Sequence, residues 1–331
     1  MEKVIAIVVT YNRLSLITAC ISALKNQTQQ ADAILVINNG STDNTEQWLK
    51  AQDGLHFITQ NNTGSGGGFE TGIKWAYKNG FSWMWCMDDD GYPKEDALEK
   101  ILAPELSWLC LRNCAVINKE DKKSFVWKTK NYATINDVDT NIIEGIGHPF
   151  NGTLIHRNIV ERVGFPKEQF FLWGDETEYL YRITKKNKIP VCTIADSIHY
   201  HPAAAFSYKK DWDYGKMWKM YFYVRNRFHI HKAKCNSGAT AFIHYCCFLI
   251  AMAAVVLVYQ KTDKAKKLRF IFWPAIDAFS NNFSANPQLI LLKLASKSPI
   301  QIRTTFINHI KNSLLAFAEN FAISPANRVT G

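Results

Sequence analysis

The sequence predicts an α/β protein: an open, Rossmann-like, mostly parallel sheet followed by a basic, helical C-terminal extension. Three observations carry this. From Val4 to Met87, β-branched apolar runs alternate with segments of helical periodicity. Each apolar run stops at a polar or acidic cluster, the place where open α/β sheets keep their ligand sites. Charge also divides the chain: the first 201 residues hold 21 basic and 24 acidic side chains, net −3, and the rest hold 18 and 5, net +13.

The elements follow in order. Val4–Val9 is a continuous apolar run, the mark of a strand buried on both faces, and Leu14–Lys25 has helical spacing. Ala33–Ile37 is a second strand, stopped by Asn38-Asn39-Gly40, and Ser41-Thr42-Asp43 caps a helix running through Leu49. His56–Thr59 is a short third strand. Asn61 to Gly68 is a glycine-rich loop ahead of a helix from Phe69 to Lys78, and Trp83–Met87 is a fourth strand that runs into Asp88-Asp89-Asp90. A helix is expected to begin at Pro93-Lys94-Glu95-Asp96. The pattern weakens beyond Pro104 and resumes with a strand at Val191–Tyr200 and an aromatic, Arg-rich helix at Trp212–His231. Domains are expected at 1–205 and 206–331.

With 331 residues, 47% hydrophobic and 13% aromatic, the chain has material for one large or two modest cores, which excludes a disordered chain or a disulfide-stapled miniprotein. Its eight Cys form no C-x-x-C pair and are read as reduced packing residues. The apolar run before Thr10 is too short for a signal-peptide core, so the expected location is cytoplasmic, either free or attached to the cytoplasmic face of a membrane.

Three adjacent carboxylates after a buried strand repel one another unless a cation sits among them, and hard oxygen ligands suit Mg²⁺ or Mn²⁺. The competing reading is an acidic helix N-terminus, which Asp88 lies too far upstream to serve. The glycine-rich loop lets backbone N–H groups approach a phosphate; it lacks the Gly-Lys-Ser/Thr of a Walker loop and does not follow the first strand as a dinucleotide fingerprint would. In Gly174-Asp175-Glu176-Thr177-Glu178, helical spacing puts Asp175 and Glu178 on one face and Glu176 elsewhere, and one of these carboxylates suits a general base. Strand alternation puts His199 and His201 on one side, available as further ligands.

Over roughly residues 3–231 these motifs resemble the family 2 inverting glycosyltransferases of GT-A fold, in particular the galactofuranosyltransferase and rhamnosyltransferase branch. The resemblance rests on Val9–Arg13, Asn38–Asp43, Asn62 through Phe69, Met87–Asp90, Trp173–Tyr179, His199 and Tyr221–Arg227. It implies that Thr10, Tyr11, Arg13, Asn38, Asn39, Asn62, Gly67 and Asp89 bind the nucleotide sugar. It also implies that Asp88, Asp90 and His199 hold Mn²⁺ or Mg²⁺, and that Glu176, beside Asp175, is the base. Two positions depart from the family: Asn38 where many relatives have Asp, and Glu176 where Asp is common.

The expected activity is inverting transfer of galactofuranose from a UDP donor to a lipid-linked or oligosaccharide acceptor in bacterial surface-polysaccharide synthesis. dTDP-rhamnose or another hexose nucleotide is the alternative donor. A nucleic-acid-binding protein and a membrane adaptor on an inactive transferase fold are the rivals from other classes. No nucleic-acid motif accompanies the basic residues, so no nucleic-acid partner is expected. Ala239–Gln260 lacks Lys, Arg, Asp and Glu and precedes a basic cluster at 261–269, which suggests peripheral contact with an anionic membrane surface, ahead of a buried helix or homo-oligomer interface and ahead of a true span.

Overall fold

The computed structural model describes residues 2–104, 106–107, 109–203 and 209–296. The chain divides into two compact units after Phe206. The domain boundary expected at 205/206 lies outside the described residues.

In chain order the first unit contains β1 (Val4–Thr10), α1 (Leu14–Lys25), β2 (Ala33–Asn38), α2 (Thr45–Lys50), β3 (His56–Thr59), α3 (Gly64–Lys78), β4 (Trp83–Asp88) and β5 (Tyr92–Pro93). It continues with α4 (Ala97–Leu102), β6 (Leu111–Asn118), β7 (Ser124–Thr129), β8 (Tyr132–Thr134), β9 (Ile142–Glu144), β10 (Asn151–His156), α5 (Arg157–Val163), α6 (Asp175–Tyr181) and β11 (Val191–His201). The sheet runs β3-β2-β1-β4-β10-β6-β11-β5. β1 pairs in parallel with β2 and β4, while β10 is antiparallel to both its neighbours. Strand order reverses at β1, with β2 on one side and β4 on the other, so the ligand crevice of such a sheet falls at the carboxyl ends of β1 and β4.

The unbroken apolar run of β1 is explained by its two faces. Val4, Ala6 and Val8 pack with Ile17, Cys20 and Leu24 of α1 and with Leu98 and Ile101 of α4. Ile5, Ile7 and Val9 pack on the opposite side with Phe69 and Ile73 of α3. Burying each such aliphatic side chain contributes roughly 1.5–3 kcal/mol.

Two sequence expectations are corrected here. The glycine-rich segment is not a flexible loop before a helix: α3 begins at Gly64. Glycine costs about 1 kcal/mol against Ala inside a helix, and packing explains its presence. A Cβ on Gly68 would lie 2.5 Å from Val9 Cγ1, and one on Gly72 2.5 Å from Ile7 Cγ2, so these positions let α3 lie close on β1. Likewise, Tyr92 and Pro93 form no helix start. They pair with Tyr200 and His199 of β11, and the helix begins only at Ala97.

The second unit is described as α7 (Trp218–Lys234), α8 (Gly238–Tyr259), α9 (Lys264–Phe279) and α10 (Pro287–Ala295). The helix expected from Trp212 starts six residues later. The Trp212 N–H donates to Gln260 Oε1, and the Asp213 carboxylate accepts from the Gly215 N–H in a short turn. Tyr221 donates to Asp277 at 2.6 Å and Tyr245 to the Val224 carbonyl at 3.0 Å, tying α7 to α9 and α8. Lys267 is fully buried and donates to Asp211 at 2.8 Å. α8 is long and apolar enough to cross a membrane, yet most of its surface is open, with Ile250 69% and Val258 70% exposed. Six of the eight Cys are buried, but Cys246 is half-buried and Cys247 exposed, which corrects the expectation that all eight are packing residues.

Candidate active site

The carboxyl ends of β1 and β4 are joined through one acidic residue. Asp89, 3% exposed, accepts from the Thr10 hydroxyl at 2.6 Å and from Arg13 at 2.9 Å, and Arg13 also donates to Asp90 at 3.1 Å. Asn12 adopts φ 54° and its side-chain oxygen accepts from the Thr42 N–H, which stitches the loop after β1 to the loop after β2. Tyr11 stands 44% exposed beside this strap.

The three carboxylates differ in environment. Burial, and then the charges of Asp90 and Asp89, push Asp88 well above the usual carboxylate range. Burial also raises Asp89, against the pull of Arg13. Burial pushes Asp90 the same way, but the hydrogen bond and charge of His201, followed by Arg13, hold it below that range. His201 Nε2 lies 3.3 Å from Asp90 Oδ1.

His199 follows on β11, fully buried, and neither ring nitrogen has a hydrogen-bond partner. Burial, with the charge of His201, lowers its pKa to about 3, so the ring is neutral at physiological pH. Gly91 borders it; a Cβ there would collide with His199 Nε2.

The second acidic motif reaches the same region. Asp175 is 1% exposed and accepts from the Ser65 hydroxyl at both carboxylate oxygens, 3.2 and 3.1 Å. Burial, then the charge and hydrogen bond of Glu176, push Asp175 well above the carboxylate range, and Asp88 adds to the push. Glu176 also bears on Asp88. Glu176 is half-buried, its carboxylate accepting from the Gly174 N–H at 3.0 Å and the Thr177 hydroxyl at 3.2 Å. Glu178 is buried beside Lys167 and Arg182, 2.7 and 3.1 Å away, which fastens α6. The turn into α6 is tight: Phe171, Trp173 and Gly174 all take positive φ, a conformation that is uncommon for the first two.

Asn38, Asn39 and Gly67 are buried, and Asn62 is not. Asn38 is fully buried, donating to Thr59 and accepting from the Ser41 N–H. Asn39 donates to the Gly64 carbonyl at 2.7 Å and accepts from Gln60. Asn62 is exposed and accepts from the Gly64 N–H at 2.9 Å. Gly67 lies inside α3 against Thr63 and Glu168.

Residues 5–147 match the model for glycosyl transferase family 2. The chain is a glycosyltransferase, and residues 5–147 are its family 2 domain. This transferase is 27% identical over 226 residues to "Galactofuranosyltransferase GlfT1" of Mycolicibacterium smegmatis, covering 63% of this chain and 74% of that one. It is 24% identical over 233 residues to "Low-salt glycan biosynthesis hexosyltransferase Agl10" of Haloferax volcanii, covering 59% and 65%. The solved structure of GalNAc-T7 with UDP, GalNAc and Mn²⁺ aligns over 85% of this chain and 58% of that one, at 12% identity and TM-score 0.55. The fold is GT-A.

The donor set of the transferase suits a hard divalent cation. Two carboxylates crowd one another, and a buried, neutral imidazole keeps both nitrogens unbonded. The ligand atoms of Asp88, Asp90 and His199 do not, however, all lie within 4.8 Å of one another. Among the described residues that closeness is met by His231, Cys235 and His244. Sequence reasoning missed Ser65 and Gly91. Ser65 sits inside a segment read as a phosphate loop and Gly91 directly follows the acidic triplet, so neither carried a signal of its own.

Proposed function

We propose that this transferase moves galactofuranose from UDP-galactofuranose, with inversion and metal dependence, to a lipid-linked or oligosaccharide acceptor in bacterial surface-polysaccharide synthesis. The observation that carries the reading is the convergence of Asp88, Asp90, His199, Asp175 and Glu176 around the carboxyl edge of the sheet, where each carboxyl bears on another's ionisation. The likeness to GlfT1 supports the donor.

In this reading Thr10, Tyr11, Arg13, Asn62 and Asp89 form the nucleotide end of the site, with Asn38, Asn39 and Gly67 shaping its wall. Asp88, Asp90 and His199 hold Mn²⁺ or Mg²⁺, which when bound offsets the charge of the departing diphosphate. Burial disfavours the charge of Asp175, which positions α6 through Ser65. Glu176 is the carboxylate that takes the acceptor hydroxyl proton as the oxygen attacks the anomeric carbon. Glu is one methylene longer than Asp, and its hydrogen bond to the Gly174 N–H restrains that extra reach.

The second unit, in the same reading, attaches the chain to an anionic leaflet carrying a lipid-linked acceptor. The uncharged, open face of α8 and the basic residues Lys261, Lys264, Lys266 and Arg269 beside it support this.

The test is a panel of nucleotide sugars incubated with the purified protein and membrane acceptor, with and without EDTA. EDTA-sensitive consumption of UDP-galactofuranose is expected. Turnover of dTDP-rhamnose or another hexose nucleotide instead would reassign the donor.

A further inference from the structure

The second unit brings together three soft or borderline ligands that sugar transfer does not use. His231 and Cys235 are four apart, so the end of α7 presents them on one face. His244 comes from α8, and the ligand atoms of all three lie within 4.8 Å of one another. Cys235 Sγ is 3.5 Å from His244 Nδ1. A tetrahedral zinc with ordinary Zn–S and Zn–N lengths sets that edge at about 3.6 Å. The rings of His231 and His244 meet edge to face, 5.7 Å between centroids.

The turn carrying these residues is short and capped at both ends. The Cys235 N–H donates to the His231 carbonyl at 2.8 Å, and the Ser237 hydroxyl accepts from the Thr240 N–H at 3.1 Å. Both ring nitrogens of His231 are buried without a hydrogen-bond partner, and a metal bond would satisfy one of them. The carboxyl end of α7 favours a cation.

We propose that His231, Cys235 and His244 form a zinc site that clamps the α7–α8 turn, with three protein ligands and a fourth position left for water. Two histidines and one thiolate are the donor types zinc prefers, in contrast to the hard oxygens at the sugar-transfer site.

The experiment uses the full chain, stripped with a chelator and dialysed into excess Mg²⁺ so that carboxylate sites are filled. Zinc chloride is then titrated against a chromophoric competitor. One equivalent is expected to bind, with zinc raising the melting temperature. His231→Ala, Cys235→Ser and His244→Ala should each weaken binding by more than the roughly 10–100-fold that follows loss of an outer-shell partner. His244 is exposed, so His244→Ala tests the site with little risk to folding. The double variant Cys246→Ser/Cys247→Ser should bind as the parent does. Cobalt substitution should give a thiolate-to-metal charge-transfer band that disappears in Cys235→Ser. The proposal is overturned if the parent takes no zinc from the competitor, if His244→Ala binds as tightly as the parent, or if binding is lost with Cys246 and Cys247.

Discussion

Arg13 and Asp89 stand 76 positions apart in the chain and are joined by a 2.9 Å ion pair whose acidic partner is only 3% exposed. The same guanidinium nitrogen reaches Asp90 at 3.1 Å. The pair therefore couples the loop after β1 to the end of β4. It also helps keep Asp90 charged, while for Asp88 burial and the charges of Asp90 and Asp89 outweigh the pull of the same Arg13.

Removing Asp88 or Asp90 should abolish metal-dependent transfer. Asp88→Asn and Asp90→Asn are each expected to lower kcat by about 10²–10³, the scale for loss of a preorganised electrostatic partner of a developing charge. His199→Ala should raise the metal concentration needed for half-maximal rate. Full activity in either Asp variant would remove the metal assignment, and an unchanged metal requirement in His199→Ala would transfer the third ligand role to His201.

Glu176→Gln preserves size and removes the carboxylate. Transfer should fall by about 10²–10⁴ while UDP binding, read by calorimetry, stays near the parent value. Asp175→Asn keeps the size of the buried side chain and should cost much less. If Asp175→Asn is inactive and Glu176→Gln is not, Asp175 is the base.

Gly68→Ala forces a methyl group against Val9, and Gly72→Ala one against Ile7. Each should destabilise the first unit by about 1–3 kcal/mol, the usual cost of overpacking, even though Ala is the better helix former. Urea unfolding followed by tryptophan fluorescence measures this. A gain in stability would mean that α3 does not sit close on β1.

The Lys267 hydrogen bond, then the Lys261 N–H and the Thr262 hydroxyl, hold Asp211 far below the usual carboxylate range. A depressed folded-state pKa means that its contribution is present above the unfolded value, about 3.9, and is lost as pH falls through the folded one. Melting temperatures taken from pH 5 down to pH 2 should therefore fall more steeply for the parent than for Asp211→Asn. Parallel curves would show that the ion pair does not report on folding.

If α8 meets a lipid surface, the full chain should sediment with vesicles containing anionic lipid and be released by high salt or carbonate. Ile250→Ser combined with Val258→Ser should reduce that binding. Recovery only with detergent would indicate a span, and a protein wholly soluble at low salt would exclude the membrane role.

The residues themselves determined what depends on local pattern. The run Val4–Val9 could be read as a strand buried on two faces because both faces are apolar, and Asp88-Asp89-Asp90 stood out because adjacent carboxylates after such a run are costly. Motif order was enough to indicate the family. Local pattern failed where a residue's environment comes from elsewhere in the chain. The glycines from Gly64 to Gly72 read as a loop because propensity alone disfavours them in a helix, and only the docking of α3 on Val9 and Ile7 accounts for them. Ser65 and Asp175 lie 110 positions apart, and nothing in either segment announces the other. His231, Cys235 and His244 have no recognisable motif spacing; the reversal of the chain between α7 and α8 puts their ligand atoms together. Periodicity records which face of an element is buried, whereas strand order and chain reversal decide which distant side chains meet there.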